Sequence, residues 1–179
     1  NASPIGDMPP CLIALDATVV LSSADGGRRE IAAEDFFLDY RKTDLRAGEI
    51  IEAVRIPHMA DHQTFHVYKV SKRFDQDISA VLGAYRLGLD GGRVTDVRIA
   101  HGGMAATPKR APACEAALTG KPWTAETAQA AADALARDYA PISDFRASAG
   151  YRATVAANLI RRLHLQTTAP AIVSEVMAL

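Results

Sequence analysis

Two short polar segments hold most of the chemistry this sequence offers. Residues Ser3 to Pro10 (SPIGDMPP) form a rigid turn that presents the Asp7 carboxylate just before an apolar run. A carboxylate on a pinned loop suits hydroxyl donors such as ribose or ribityl groups. The alternative is an ordinary loop closed by an Asx-type turn. Lys69 to Ile78 (KVSKRFDQDI) sets three cations and two acids between two apolar stretches. As structure it is a charged hairpin loop. As function it is a mobile polar loop at a ligand's edge, since binding groups favour loops carried by rigid scaffolds.

Other titratable groups offer less. His58, His62 and His66 recur every four residues, which on a helix is metal-ligand spacing. Pro57 precedes them and the alternation from Phe65 is that of a strand, so they should not share a face and no metal is expected. Asp16, Glu34 and Asp35 have no identifiable partner and are expected to be solvated. There is no phosphate-binding P-loop, no GxGxxG after a strand and no CxxC. No residue stands out as a general acid, general base or nucleophile, so no catalytic residue is expected.

Composition narrows the class. With 179 residues, 49% of them hydrophobic, the chain can bury one good core or two small ones sharing an interface. Charged residues make up 23% and the net charge is −1, without the basic patch that nucleic acid or an anionic membrane surface requires. No apolar run approaches the roughly 20 residues of a membrane span. Cys11 and Cys114 are too few for an iron–sulfur cluster and read as free thiols in a reducing cytoplasm. The opening NASPIGDMPP lacks a basic start and a long apolar segment, so it is not expected to be a signal peptide. It has the character of the middle of a protein.

These segments need elements to position them. Cys11 to Leu15 suits a short helix after Pro9 and Pro10. Ala17 to Ser22 and Arg29 to Ala32 read as strands joined by a turn at Gly26 and Gly27. Ala33 to Tyr40 is expected to be a helix pinned by Phe36, Phe37 and Tyr40. A charged loop and a strand over Glu49 to Ile56, ended by Pro57, complete a first module. A module boundary is placed near residue 60. Phe65 to Ser71, Ile78 to Leu89 and Val94 to His101 predict a three-stranded antiparallel sheet, with a hairpin at Asp90-Gly91-Gly92. Helices should follow: Ala113 to Leu118; one capped by Thr124 with Ala128, Ala131, Ala132, Leu135 and Tyr139 on its inner face; and one capped by Ser148. In the last, Tyr151, Val155, Leu159 and Leu163 should point inward and Arg152, Arg161 and Arg162 outward. The fold class is α+β: a small first module, then a three-stranded antiparallel sheet packed with helices. Domains are placed at 1–60 and 61–166, with a loose tail at 167–179.

In order and separation, several motifs resemble the FAD-binding subunit of xanthine dehydrogenases. Ala2 to Pro10 is similar to the end of that family's second flavin motif. Phe36 to Lys42 (FFLDYRK), the strand from Glu49 to Pro57 and especially Lys69 to Ser79 (KVSKRFDQDIS) resemble further family segments. Gly102 to Ala105 (GGMA) and Arg146 to Arg152 (RASAGYR) resemble the C-terminal domain shared with carbon monoxide dehydrogenase flavoproteins. The resemblance implies that the first module is a partial flavin-binding subdomain and that Asp7, Ile50, Ile51 and Lys69 face FAD; a positive charge at Lys69 would then favour the anionic reduced flavin. It implies that the Val70 to Asp77 loop controls NAD access at the flavin edge. It further implies an oxidoreductase role in purine oxidation: a molybdopterin-binding large subunit oxidises the substrate, and electrons pass through iron–sulfur clusters and FAD to NAD. Rivals are a flavoprotein subunit that serves carbon monoxide, nicotinate or aldehyde oxidation, and an inactive docking module. The loops that would hold the FAD pyrophosphate are not among these residues. The chain by itself is therefore expected to fold without retaining FAD and without running the enzyme's chemistry.

Overall fold

A computed structural model describes Ser3 and residues 5–169; Ala2 and Pro4 of the first polar turn and residues 170–179 of the expected tail lie outside that range. Pro9 and Pro10 sit in the first turns of α1 (Met8–Ala14), where a missing N–H costs little. β1 (Thr18–Ser23) and β2 (Arg28–Ala32) follow as a hairpin, with Gly26 at φ +85° in its turn. The expected aromatic helix stops early: α2 covers only Ala33–Phe36. Phe37 leaves it with extended backbone, packs edge-on against Phe36 at 5.3 Å and opens a small hairpin of β3 (Phe37–Asp39) and β4 (Lys42–Thr43). Pairing of Phe37 with Thr43 outweighs continuation of the helix. β5 (Glu49–Arg55) then joins the far side of β1, giving the sheet order β2-β1-β5.

The second sheet is antiparallel in the order β6 (Gln63–Val70), β7 (Val81–Asp90), β8 (Arg93–Gly102), β9 (Lys109–Arg110). Its first three strands are those expected, and the two-residue β9 adds a fourth. Gly91 and Gly92, both at positive φ, make the tight turn between β7 and β8. α3 (Pro112–Leu118), α4 (Ala125–Asp138) and α5 (Ala149–Thr168) complete the chain. Thr124 and Ser148 cap the last two through backbone N–H groups of Thr127 and Tyr151.

The sheet is covered on both faces. Val81, Tyr85, Leu87, Val97 and Ile99 pack with Leu118, Leu135, Leu159 and Leu163 from the helices. Leu82, Ala84 and Ala100 pack with Ile13, Ala14, Val19, Leu21 and Phe36 from the N-terminal module. Alternate residues of β7 thus feed two cores, which is why its sequence reads as a continuous apolar run. The α1 side carries small residues so that the helix can come close: a Cβ on Gly102 would lie 3.1 Å from Pro10 Cγ.

Long-range pairing corrects several surface expectations. Asp16 and Glu34 are not solvated singly. Arg98 binds Asp16 at 3.0 Å, Glu34 at 3.3 Å and the Ile13 carbonyl at 3.2 Å, tying β8 to the N-terminal module. Arg110 takes Glu34 at 3.2 Å and Glu115 at 2.6 Å. Asp35 is exposed. Arg161 and Arg162 are half-buried rather than outward: Arg161 binds Gln129 at 2.8 Å and Arg162 lies 4.5 Å over the Tyr68 ring. The start of the expected loose tail is helical, and Thr167 accepts a hydrogen bond from Trp123 Nε1 at 2.8 Å.

Both cysteines are free thiols, Cys11 half-buried and Cys114 buried. Burial pushes the Cys114 thiol far up, with the Asp138 and Glu115 charges adding to it, and burial also raises Cys11. Thiol-reagent labelling of the native protein should therefore be slow at Cys11 and absent at Cys114, with both modified in urea. Fast native labelling of Cys114 would show that its core opens.

Candidate flavin-facing site

Asp7 occupies the N-cap of α1, yet its side chain does not cap that helix. It turns across to the second sheet. Oδ2 meets Lys69 Nζ at 2.8 Å, and Oδ1 accepts from Ser79 Oγ at 2.6 Å. Lys69 is the penultimate residue of β6, and Ser79 lies two residues before the first residue of β7, so the pair sits at one end of that sheet. Both charged side chains stay accessible, 43% for Asp7 and 40% for Lys69. An exposed pair of this kind contributes about 0–1 kcal/mol to stability. It offers one acceptor and one cation to a polar ligand.

The loop from Ser71 to Ser79 closes at its mouth, where Ala80 N–H bonds the Val70 carbonyl at 2.8 Å. Asp77 organises the interior by accepting from the N–H of Arg73 at 2.9 Å and of Ile78 at 3.0 Å. The Arg73 N–H above all, then that of Ile78, holds this carboxyl below the usual carboxylate range. Gln76 takes positive φ, +49°, within the turn. Lys72 Nζ donates to the Phe145 carbonyl at 2.6 Å, joining the loop to the segment that precedes α5. Between them lies an open cleft of about 490 Å³ lined by Lys72, Arg73, Asp77, Phe145 and Arg146 among others.

Arg152, expected to face outward, is only 3% exposed, whereas Tyr151, expected inward, is 51% exposed. The guanidinium donates to the carbonyls of Ala80 and Gly103 and to Asp144 Oδ1 at 2.7 Å. Burial by itself would raise the Asp144 carboxyl, but the N–H groups of Ala147 and Arg146 and the Arg152 charge bring it below its ordinary value. Helical periodicity assigned the basic residue to solvent, and no local signal marked the carbonyls that bind it.

Ile50 and Ile51 lie on a different sheet from Lys69, on the edge strand β5 opposite Ser22 and Leu21. Adjacent strand residues point to opposite faces, and both are accessible, 66% and 38%. The structure thus brings Asp7 and Lys69 together and leaves the isoleucines as an exposed aliphatic pair on a neighbouring element. Ser79 was missed as a site residue; it stands inside the KVSKRFDQDIS stretch, but its link to Asp7 spans 72 positions. The three histidines fall on a polar link, a turn and β6. The donor set at Asp7 and Lys69 fits a flavin: a carboxylate can accept from ribityl hydroxyls, and an ammonium can approach the polar edge of the ring system.

Residues 66–167 match the family described as CO dehydrogenase flavoprotein C-terminal domain, and residues 1–59 match the FAD binding domain in molybdopterin dehydrogenase. The glyceraldehyde dehydrogenase medium chain of Sulfolobus acidocaldarius is 35% identical, covering 87% of this chain and 54% of that protein. The xanthine dehydrogenase of Blastobotrys adeninivorans is 35% identical over 87% of this chain but only 12% of its own length. The solved carbon monoxide dehydrogenase of Hydrogenophaga pseudoflava superposes with a TM-score of 0.84 at 35% identity, covering 90% of this chain and 55% of that one. The chain therefore spans about half, or much less, of the relatives it matches. With the larger match extending over more than half of its residues, the chain belongs to the CO dehydrogenase flavoprotein C-terminal domain family, within the flavoprotein group of the molybdenum hydroxylases.

Proposed function

We propose that this chain supplies part of the flavin-binding face of a molybdenum hydroxylase flavoprotein. Residues 1–60 act as the C-terminal part of the FAD-binding domain, 61–166 as the C-terminal domain that braces it, and 167–179 as a tail. One observation carries this reading: Asp7 and Lys69, 62 positions apart, meet as an accessible ion pair at the junction of the two modules. Lys69 and Ser79 fix the orientation of the Asp7 carboxylate, which leaves its remaining lone pairs for ribityl hydroxyls. The Lys69 ammonium lowers the energy of negative charge on a reduced flavin. Of Ile50 and Ile51, which face opposite sides of β5, one supplies aliphatic contact to the ring system and the other to the surrounding surface. When bound, FAD would collect electrons singly from iron–sulfur clusters and pass two as hydride to an acceptor such as NAD; the clusters and the molybdopterin reside on other domains or a partner large subunit.

The group-level role is favoured over an assignment to xanthine. The KVSKRFDQDIS stretch supports purine oxidation, but relatives named for glyceraldehyde, carbon monoxide and xanthine align at the same 35% identity. Substrate choice belongs to the molybdenum subunit, so a flavoprotein module can serve any of them. The exposure of β5 supports a docking contribution as well, since an open strand edge can receive further chain.

Lys69→Met in the complete flavoprotein tests the reading. Removing one nearby cation should lower the flavin midpoint potential by roughly 30 mV, the equivalent of about 1.4 kcal/mol for a two-electron couple. An unchanged potential would remove Lys69 from the flavin site. The isolated chain is expected to fold colourless; a visible flavin band on the purified chain would show that phosphate-loop contacts are dispensable.

A further inference from the structure

Arg152 is a buried cation whose hydrogen bonds converge on the mouth of the 71–79 loop. Its Nη1 donates to the carbonyl of Ala80 and to that of Gly103 at 3.0 Å, and its Nη2 donates to Asp144 at 2.7 Å. Its Nε has no partner among the described residues. A buried guanidinium whose Nε–H lacks a partner is costly, so simple solubility or helix propensity does not account for it. Gly103 makes the approach possible: a Cβ there would lie 3.0 Å from Nη1 and 2.3 Å from the Ala80 oxygen.

The location of Ala80 gives this anchor its reach. Ala80 follows Ser79 directly, Ser79 Oγ holds Asp7 Oδ1, and Asp7 Oδ2 holds Lys69. On its other side Arg152 grips Asp144, next to Phe145, whose carbonyl accepts from Lys72 near the beginning of the same loop. One side chain from α5 therefore fixes both the exit of the loop and the segment that restrains its entry.

We infer that Arg152 is a positioning residue for the flavin-facing pair: it sets the path of the 71–79 loop and, through Ala80 and Ser79, the placement of Asp7 against Lys69. This inference rests on the flavin reading of that pair. A purely structural role would lower stability without altering the flavin.

The test uses the complete flavoprotein carrying Arg152→Met or Arg152→Lys, with Lys69→Met beside them. Two readouts are followed, the rate of tryptic cleavage after Lys72 or Arg73 and the flavin midpoint potential. Arg152→Met should raise the cleavage rate about tenfold or more, through local opening of the loop, and should move the potential in the same direction as Lys69→Met. Arg152→Lys should recover part of both. A folded Arg152→Met protein with native cleavage, or with native potential while Lys69→Met shifts it, overturns the inference and leaves the flavin reading standing. If Lys69→Met leaves the potential unmoved, Lys69 leaves the flavin site and this positioning role falls with it. Should Arg152→Met fail to fold, Asp144→Asn takes its place: faster cleavage supports the coupling, and unchanged cleavage rejects it.

Discussion

Gly103→Ala is expected to destabilise the protein by about 3–5 kcal/mol, at the upper end of what single substitutions do. The residue sits at φ +81°, where an L side chain is strained, and its new Cβ would stand 2.3 Å from the Ala80 oxygen and 3.2 Å from the Ala80 carbonyl carbon. Those are backbone atoms at the loop mouth and cannot rotate away. Left-handed backbone strain accounts for about 1–2 kcal/mol; steric displacement of Ala80 and loss of its bond to Arg152 supply the rest. Gly120→Ala separates these contributions, because Gly120 has a similar φ of +73° with nothing within 4 Å of the added Cβ. It should cost only about 1 kcal/mol. Urea midpoints of the two variants decide the matter, and equal losses would mean that the packing at Gly103 is irrelevant.

Acid should weaken the fold well above the range in which carboxylates titrate. His101 lies wholly within the core, between two tyrosines. Tyr139 gives its hydroxyl proton to the Lys109 carbonyl at 2.8 Å, so it must accept from His101 Nδ1 at 3.2 Å. That leaves Nε2 to accept from the Tyr85 hydroxyl at 3.0 Å. The chain satisfies the neutral Nδ1–H tautomer, and burial holds the imidazole down to about 3 from 6.5. In the unfolded chain the ring takes up a proton near 6.5, while in the folded protein it does not until about 3. The unfolded state then binds more protons throughout that window. Stability is full above pH 6.5 and falls as the pH drops toward 3, by a few kcal/mol at most. His66, also depressed by burial, adds to the same slope.

Carboxylates such as Glu49, drawn down to about 2 from 4.5 chiefly by its bond to Arg29, begin to matter only at lower pH. The first loss between pH 6.5 and 5 therefore belongs to histidine. His101→Gln keeps a donor and an acceptor but cannot ionise in this range. It should be less stable at pH 7 and show a flatter acid slope in urea melts. A wild-type slope in that variant would rule out His101 as the origin.

Much of the architecture was legible along the chain. The alternation of Phe65 to Ser71 and Val94 to His101, the paired glycines at 91 and 92, and the caps at Thr124 and Ser148 are signals that span a few residues, and the structure follows them. The helix expected over Ala33 to Tyr40 failed where a local pattern met a competing strand: Phe37 pairs with Thr43 instead of adding another helical turn. The direction of Arg152 failed for a related reason. Periodicity tells which side of a helix faces a core, but not whether that core holds carbonyls that need a cation.

By its own residues the sequence determined most of the strands and helices, the long apolar run that becomes β7, and family membership through ordered motifs. Only the tertiary structure decided that Asp7 meets Lys69 and Ser79, that Glu34 bridges Arg98 and Arg110, and that Ile50 and Ile51 stand on a separate sheet. Secondary structure is set by interactions between near neighbours, whereas these contacts join residues dozens of positions apart. Their geometry exists only once two cores have closed on opposite faces of one sheet.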